Sequence, residues 1–298
     1  MQSEKLSHVE SLLNSQGYIT DRKIAMSVFL SMQLNKPLLV EGPAGVGKTE
    51  IAKVMSQALK AKLIRLQCYE GLDANHAIYE WNYQRQLLHL KMEEGGDKSI
   101  EEKENSIFSD RFLLKRPLLE AISQEGPTVL LIDEVDRADE AFESFLLELL
   151  SDWQISIPEI GTIKAGSIPR VVITSNSIRE LSEALRRRCL YLWIDFPDFE
   201  KEIAIIKRKV PDIDEKLAKQ ITLFMQEIRK MKLEKIPGVA ETMDWAMALA
   251  ALHLSSLDQS IVEDTLGIIL KDWQDIRNTQ DSLSELFEKV GVSSKLNA

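Results

Sequence analysis

Cysteine is scarce in this chain of 298 residues, which contains only Cys68 and Cys189. Neither belongs to a CxxC pattern or to a nearby histidine pattern, so we expect reduced, partly buried thiols rather than a disulfide or a metal site. The four histidines also lack the spacing of metal ligands. The composition therefore argues against a disulfide-stapled scaffold and against a metal centre built from these residues.

Long apolar runs and an excess of positive charge are missing as well. No apolar run approaches the roughly 18 residues that span a bilayer, and the first residues do not form a basic segment followed by an apolar one, as a secretory signal does. Lys and Arg number 37 against 47 Asp and Glu, which gives a net charge of −10. Because nucleic-acid affinity depends largely on neutralising phosphates, we expect a cytoplasmic protein with no transmembrane segment and no nucleic-acid partner. The best candidate for a local basic patch is Arg186–Arg188.

Short apolar or alternating runs recur through the first two thirds of the sequence. They predict strands at 37–40, 62–67, 128–132, 171–174 and 191–194. Helical periodicity separates these strands, whereas only helical patterns follow Phe196-Pro197. This order predicts an α/β domain with a parallel sheet over residues 1–197 and an all-α domain over residues 198–298.

Four segments between the strands have other characters. Residues 74–92 and 112–124 are expected to be helices. The charged stretch 93–104 contains a Gly-Gly pair and predicts a flexible insertion. Residues 154–168 predict a β-hairpin that turns near Gly161.

A glycine-rich segment lies between the strand 37–40 and a helix expected over 49–60. Its residues are Gly42, Pro43, Ala44, Gly45, Val46, Gly47, Lys48 and Thr49, followed by Glu50. Strand, glycine-rich turn and helix form the setting in which GxxxxGK[ST] binds a polyphosphate, because backbone N–H groups and the helix dipole point at the phosphates. Lys48 would reach the β- and γ-phosphates, and Thr49 would place its hydroxyl on Mg²⁺. A chance glycine-rich turn is the alternative, but the flanking elements favour a site for ATP and Mg²⁺.

Two carboxylates follow the apolar strand 128–132. In that place Asp133 can hold Mg²⁺ directly or through water, and Glu134 can polarise the attacking water as a general base. The alternative is that the two residues only mark the polar end of a strand.

Further polar residues follow the next strands. Asn176 can hydrogen-bond both the γ-phosphate and the attacking water, although Asn at a strand end often serves only a turn. The run Arg186–Arg188 precedes the last strand. It is either a solvated helix end stabilised by the helix dipole or the source of an arginine finger that reaches a neighbouring subunit's nucleotide.

Taken together, these motifs resemble those of the AAA+ ATPases. The matching features are the phosphate loop (Walker A), Leu130–Glu134 (Walker B), Asn176 (sensor 1), the arginine segment and a helical lid. Within that superfamily the chain resembles the MoxR family, and its residues 69–110 and 154–168 suit that family's insertion and hairpin. The resemblance implies a P-loop NTPase domain followed by an all-α lid, catalytic roles for Lys48 and Glu134, and a hexameric ring of identical chains.

Four segments resemble the sequences of the CoxD-like branch of that family. They are Cys68–Asp73, Tyr79–Tyr83, Leu185–Cys189 and Pro237–Trp245. This branch implies an ATP-driven chaperone that matures the metal centre of a molybdenum hydroxylase such as carbon monoxide dehydrogenase, with or without an adaptor protein. Against the family pattern Arg188 matches the finger position best, and Arg187 is the second choice.

One position departs from the family pattern. Where many relatives place a sensor 2 arginine, this chain has Glu241, which cannot pair with a γ-phosphate and suits the first turn of a helix. Either the lid senses nucleotide through another residue, or its coupling to the γ-phosphate is weak.

The aromatic cluster Tyr79, Trp81 and Tyr83 lies inside residues 69–110, the insertion that the resemblance implies. Aromatics two residues apart do not share one helix face, so they cannot both belong to one core stripe. Contact with a client protein in a central pore is one interpretation, and burial against the main domain is the other.

Three functions compete at this point. A ring-forming ATPase that remodels a protein is favoured by Glu134 and Arg188, since a pure switch needs neither a general base nor a finger. A nucleotide-gated binding module with little turnover is the second. A nucleic-acid motor is the third, and the net charge of −10 argues against it.

Overall fold

The computed structural model describes residues 2–92, 102 and 106–291. Strands and helices are interspersed up to Trp193. They are α1 (Gln2–Ser15), α2 (Arg22–Leu34), β1 (Leu38–Glu41), α3 (Lys48–Leu59), β2 (Lys62–Gln67), α4 (Ala74–Ile78), β3 (Tyr79–Trp81), α5 (Tyr83–Met92), β4 (Leu113–Lys115), α6 (Pro117–Ile122), β5 (Thr128–Asp133), α7 (Glu140–Asp152), β6 (Gln154–Ile157), β7 (Gly161–Lys164), β8 (Arg170–Ser175), α8 (Glu183–Arg188) and β9 (Leu190–Trp193). In the described chain between Trp193 and residue 291, only helices follow: α9 (Phe199–Lys209), α10 (Glu215–Ile228), α11 (Val239–Ala251), α12 (Gln259–Ile269), α13 (Trp273–Asp281) and α14 (Leu283–Val290).

The central sheet has five parallel strands in the order β2-β5-β8-β1-β9. All residues of β1 and β5 are buried, and so are all but the first of β8, because helices cover both faces of an interior parallel strand. The edge strand β2 instead alternates between exposed and buried residues beyond its first two positions. The predicted fold class, a parallel-sheet P-loop domain followed by helices, is confirmed.

Contacts divide the chain into two compact units. The sheet unit contains the chain up to Gln16, Thr20–Glu41 and Thr49–Trp193. The helical unit contains Gly17–Ile19, Gly42–Lys48 and the described chain from Ile194 onward. Each unit has its own apolar core. The sequence-based division into domains at residue 197 stays a prediction.

The segment around the aromatic cluster corrects one expectation. Residues 74–92 are not one helix, because Tyr79–Trp81 pairs antiparallel with Leu113–Lys115. The helix expected over 112–124 is shortened to Pro117–Ile122 for the same reason. The hairpin expected over 154–168 is present as β6 and β7, while the insertion expected over 93–104 lies outside the described residues apart from Glu102.

The strand places the three aromatics in different surroundings. Trp81 is only 5% exposed, and its ring meets those of Tyr79 and Phe108 edge-on, with centroids 6.0 and 5.2 Å away. Tyr83 begins α5 and is 64% exposed. Because neighbouring strand residues point to opposite sides, Tyr79 and Trp81 share a face, and that face packs into the core of the sheet unit.

Candidate active site

The glycine-rich segment predicted to bind phosphate connects β1 to α3. Gly42, Gly45 and Gly47 have φ values of +155°, +75° and +91°, a region that side chains with a Cβ rarely adopt. A Cβ at Gly42 would lie 2.0 Å from the carbonyl oxygen of Ile194, whereas a Cβ at Gly47 would meet nothing within 4 Å. The first glycine therefore permits a close backbone approach, and the last borders open space.

Lys48 begins α3 and is buried. Its ammonium Nζ donates to the carbonyl oxygens of Gly42 at 2.8 Å and of Pro43 at 2.6 Å. The lysine is thus folded onto its own loop, where two of the three N–H donors of its ammonium group are used. Val46 is buried within the loop, while Glu50 lies in the first turn of α3 and pairs with Lys53 at 3.2 Å.

Asp133 is the last residue of β5, and both of its carboxylate oxygens accept hydrogen bonds. Its Oδ1 accepts hydrogen bonds from the hydroxyls of Thr49 at 3.0 Å and Thr174 at 2.5 Å. Its Oδ2 accepts two from Arg65, at 2.6 and 3.0 Å. The predicted pair Thr49 and Asp133 is therefore brought together at the carboxyl end of the sheet.

Glu134 follows Asp133 in a left-handed conformation with φ +55°, which costs a residue other than glycine roughly 1 kcal/mol or more. Its backbone N–H donates to the hydroxyl of Thr174 at 2.9 Å. Its carboxylate Oε2 accepts from Gln67 at 3.1 Å and pairs with Arg137 at 2.7 Å. Thr174 thus connects the two acidic residues, and Gln67 of β2 holds the second one.

Asn176 directly follows β8 and is half-buried. The carboxylate of Asp136, itself 2% exposed, accepts from the backbone N–H groups of Asn176 and Ile178, both at 3.0 Å. The residue between them, Ser177, has φ +57°. Asp136 therefore ties the turn that carries Asn176 to the turn that follows Glu134.

The three arginines end α8 and have different surroundings. Arg186 approaches Glu41 at 4.0 Å and stacks over Tyr191 at 5.6 Å. Arg187 is largely exposed and pairs with Glu183 one turn earlier. Arg188 is half-buried. Its Nε donates to the hydroxyl of Ser151 at 2.7 Å, and its NH1 donates to the carbonyl of Ala184 at 3.1 Å.

Glu241 lies in the first turn of α11. Its carboxylate accepts from the backbone N–H of Gly238 at 2.9 Å, which is the acidic half of a capping box, since the glycine has no side chain to form the other half. The glutamate thus satisfies a backbone group at the helix start, as its position in the sequence indicated.

The two thiols are buried and free. Burial raises the pKa of Cys189 to about 12. Burial also raises the pKa of Cys68 to about 12, with a further contribution from the nearby carboxylates of Asp133, Asp136 and Glu134. Both thiols are therefore protonated near neutral pH, as expected for inert structural cysteines.

Sequence reasoning missed four residues of this site. Arg65 and Gln67 read only as the exposed face of an alternating strand, and Thr174 only as part of a buried one. Asp136 lies two residues after Glu134, and its burial as a charged residue could not be read from the sequence. Gln67 could have been found from its place at the polar end of β2. Because β2 runs parallel to β5 and Gln67 pairs with Asp133, the two strand ends lie side by side.

Comparison with known proteins identifies the family. The model of the AAA domain (dynein-related subfamily) matches residues 37–189, which include the phosphate loop, both acidic residues, Asn176 and the arginines. The chain belongs to this family of AAA+ ATPase domains, which supports nucleotide hydrolysis at a general level.

Two gas vesicle ATPases are among the similar proteins. GvpN of Haloferax mediterranei is 25% identical over 244 residues, or 78% of this chain and 67% of that protein. GvpN2 of Halobacterium salinarum is 26% identical over 288 residues, or 92% of this chain and 79% of that protein. A solved mutant of RuvB from Thermotoga maritima has a TM-score of 0.51 with 19% identity and covers 91% of this chain and 81% of that one, a likeness of fold alone.

The described residues contain neither a helix that could span a membrane nor a cluster that could hold a metal ion. Within those residues no helix has the length and apolar character to cross a bilayer. In the same part of the chain, no group of three or more His, Cys, Asp or Glu side chains is placed to hold a metal ion.

Proposed function

We propose that this chain is a ring-forming ATPase that hydrolyses ATP to ADP and phosphate and uses the cycle to remodel a protein client. The observation that carries the proposal is the hydrogen bond of 3.0 Å between Thr49 and Asp133, with Glu134 as the next residue. This bond supports the proposal because a hydroxyl and a carboxylate oxygen that could bind a metal ion lie together next to a candidate base, at the carboxyl end of one sheet. Family membership supports the same reading.

The residues present fit Mg²⁺. A hydroxyl and a carboxylate are oxygen donors of the kind that Mg²⁺ prefers, and Thr49 and Asp133 would hold it. When bound with ATP, the ion neutralises charge that develops on the phosphates. Backbone N–H groups of Gly45–Lys48 and the ammonium of Lys48 would bind the phosphates themselves.

Glu134 is the proposed base. It would take a proton from water as the water oxygen bonds to the γ-phosphorus and the bond from that phosphorus to the bridging oxygen of ADP breaks. Oε2 makes the contacts to Gln67 and Arg137, so Oε1 is the oxygen that would accept the proton. Asn176 would orient the water or the γ-phosphate, from a turn that Asp136 fixes.

Arg188 is the proposed finger in a ring, and Arg187 is the competing choice. AAA+ proteins generally form oligomeric rings, in which an arginine from one subunit completes the site of the next. Arg188 would have to release Ser151 to do so, whereas Arg187 is held only at the surface of its own helix. A homo-hexamer is the proposed assembly.

The client is proposed to be a protein, and a molybdenum hydroxylase, reached directly or through an adaptor, is the narrower proposal. It depends on the resemblance of four segments to the CoxD-like branch of the MoxR family. The gas vesicle ATPases, which are similar over most of this chain, favour a second candidate function, that of a gas vesicle ATPase.

The test uses steady-state ATPase activity and complementation between subunits. Glu134→Gln removes the base but keeps the finger, and Arg188→Ala removes the finger but keeps the base. We expect both variants to bind ATP and to turn over at least about a hundredfold more slowly than the unmodified protein. Their mixture should regain activity, because an Arg188→Ala site beside a Glu134→Gln subunit has both groups.

Arg187→Ala, which removes the same charge one residue earlier, is the matched control. If Arg187→Ala is inactive and Arg188→Ala is not, the finger is Arg187. If the unmodified protein binds ATP but is no faster than Glu134→Gln, the chain is a nucleotide-gated module with little turnover, and the ATPase proposal fails.

A further inference from the structure

The start of helix α11 contacts the phosphate loop through backbone groups of the helical unit. The N–H groups of Val239 and Ala240 donate to the carbonyl oxygen of Gly45 at 3.0 and 3.3 Å. A Cβ added at Gly238 would lie 2.7 Å from the carbonyl oxygen of Ala44 and 2.8 Å from Cα of Gly45. Gly238 itself has φ −85°, so it is the close approach, and not its backbone conformation, that requires glycine here.

This contact fixes one peptide plane of the loop. In a trans peptide the C=O and the following N–H point in opposite directions. When α11 holds the carbonyl of Gly45, the N–H of Val46 must therefore point away from α11. That N–H is one of the groups of Gly45–Lys48 proposed to bind the phosphates, and the contact with α11 sets its direction.

A buried polar cluster fixes the segment that leads into α11. The guanidinium of Arg229, which directly follows α10, forms two hydrogen bonds of 2.7 Å with the carboxylate of Glu202, and both side chains are buried. Arg229 also donates to the hydroxyl of Thr242 at 2.8 Å and to the carbonyls of Pro237 at 2.9 Å and Gly238 at 3.3 Å.

The cluster also contains a hydrogen bond between Thr242 and Glu202 and a contact with the ring of Phe196. The hydroxyl of Thr242 donates to Glu202 at 2.8 Å, and the ring of Phe196 lies 4.8 Å from the guanidinium carbon. Removing one partner from such a buried ion pair leaves an uncompensated charge, so the geometry is strongly constrained. The cluster therefore determines where Gly238 and the first N–H groups of α11 lie.

We propose that Arg229 is a positioning residue for nucleotide binding, which acts through Gly238 and the start of α11 to orient the Gly45–Val46 peptide of the phosphate loop. The start of α11 is then coupled to the loop by backbone contact within the helical unit, in place of an arginine at position 241. The inference rests on the proposed nucleotide site at Gly42–Thr49. It concerns affinity, and it does not require that ATP be hydrolysed.

The first test measures the dissociation constants of fluorescent mant-ADP and mant-ATP for the full chain. Gly238→Ala adds the Cβ that the loop cannot accommodate, and Gly267→Ala is the matched control, since a Cβ at Gly267 of α12 meets nothing within 4 Å. We expect Gly238→Ala to weaken binding of both nucleotides about tenfold, as for the loss of one oriented hydrogen bond to a charged group. Gly267→Ala should bind like the unmodified protein.

Kinetics separate positioning from general damage. In Gly238→Ala the KM for ATP should rise while kcat at saturation stays within about twofold, because the contact supports ground-state and transition-state binding alike. A fall in kcat with unchanged nucleotide affinity would overturn the proposal. If the unmodified protein binds neither nucleotide, the proposed function fails and the inference with it; if it binds both and Gly238→Ala binds equally well, only the inference fails.

A second pair of variants tests the cluster, and the comparison of these two single variants does not depend on Gly238→Ala being folded. Thr242→Val removes the hydroxyl that bridges Arg229 and Glu202, whereas Thr242→Ser keeps a hydroxyl at that position. We expect weaker mant-ADP binding in Thr242→Val alone, and no further loss when it is added to Gly238→Ala, because both act through one contact. Equal affinities of Thr242→Val and Thr242→Ser, or full additivity of the two changes, would contradict a route from the cluster through Gly238.

Discussion

At the scale of single residues, the two carboxylate oxygens of Asp133 have different partners. Oδ1 faces the hydroxyl of Thr49, and Oδ2 accepts both hydrogen bonds from Arg65. The guanidinium is about half exposed, so solvent screens its charge, but it lies directly against the proposed ligand of Mg²⁺. A cation in that place opposes the approach of a second cation.

We therefore predict that Arg65→Gln lowers the Mg²⁺ concentration needed for half-maximal ATPase activity by about threefold, as expected from a screened repulsion of less than about 1 kcal/mol. Lys62→Gln is the matched control, because it removes the same charge from the same strand, where Lys62 pairs with Glu120 at 2.7 Å. A magnesium titration at fixed ATP measures the effect. Equal shifts in both variants would reveal a bulk charge effect, and an increased requirement in Arg65→Gln would mean that Arg65 mainly orients Asp133.

The residues of the site differ in how far the sequence could reveal them. Thr49, Asp133 and Glu134 were predicted because their spacing and the apolar strand before them carry the signal, and the structure brings the first two into contact. Arg229 and Glu202 are 27 positions apart, and no local pattern tells a buried charged pair from two surface charges. Such partners are defined only when α9 and α10 pack together.

At the scale of elements, β3 shows where periodicity fails. A strand of three residues is too short to display an alternation that competes with the helical spacing around it. Its pairing with Leu113–Lys115 is a tertiary contact across more than thirty residues, and that contact overrides local preference. The longer strands β5 and β8, which are buried on both faces, were predicted to within one residue at each end.

The burial of β3 predicts opposite outcomes for two neighbouring aromatics. Trp81→Ala should lower the free energy of unfolding by about 3–5 kcal/mol, because it empties a site packed by Tyr79 and Phe108. Tyr83→Ala, which truncates an exposed ring, should change stability by no more than about 0.5 kcal/mol. Urea unfolding followed by circular dichroism measures both. A stable Trp81→Ala variant that loses only client-stimulated activity would instead support the pore interpretation.

At the scale of the whole molecule, the proposed reaction needs groups from two chains. Glu134 would come from one subunit and the finger arginine from the next, so a lone chain would be an incomplete enzyme. Ligands that bind an assembled state more tightly than a dissociated one stabilise the assembly by mass action. ATP bound between the proposed base and finger should therefore favour the ring.

We predict that ATPase activity per chain rises with protein concentration and levels off where mass photometry finds six times the 33.9 kDa of one chain. Glu134→Gln with ATP should keep that mass at lower protein concentrations, since the nucleotide is bound but not consumed. Lys48→Ala, which lacks the proposed phosphate contact, should dissociate at the same concentrations with and without ATP. Activity per chain that stays constant on dilution, together with the mass of a single chain, would mean that each chain completes its own site, and neither Arg187 nor Arg188 would then act on a neighbour.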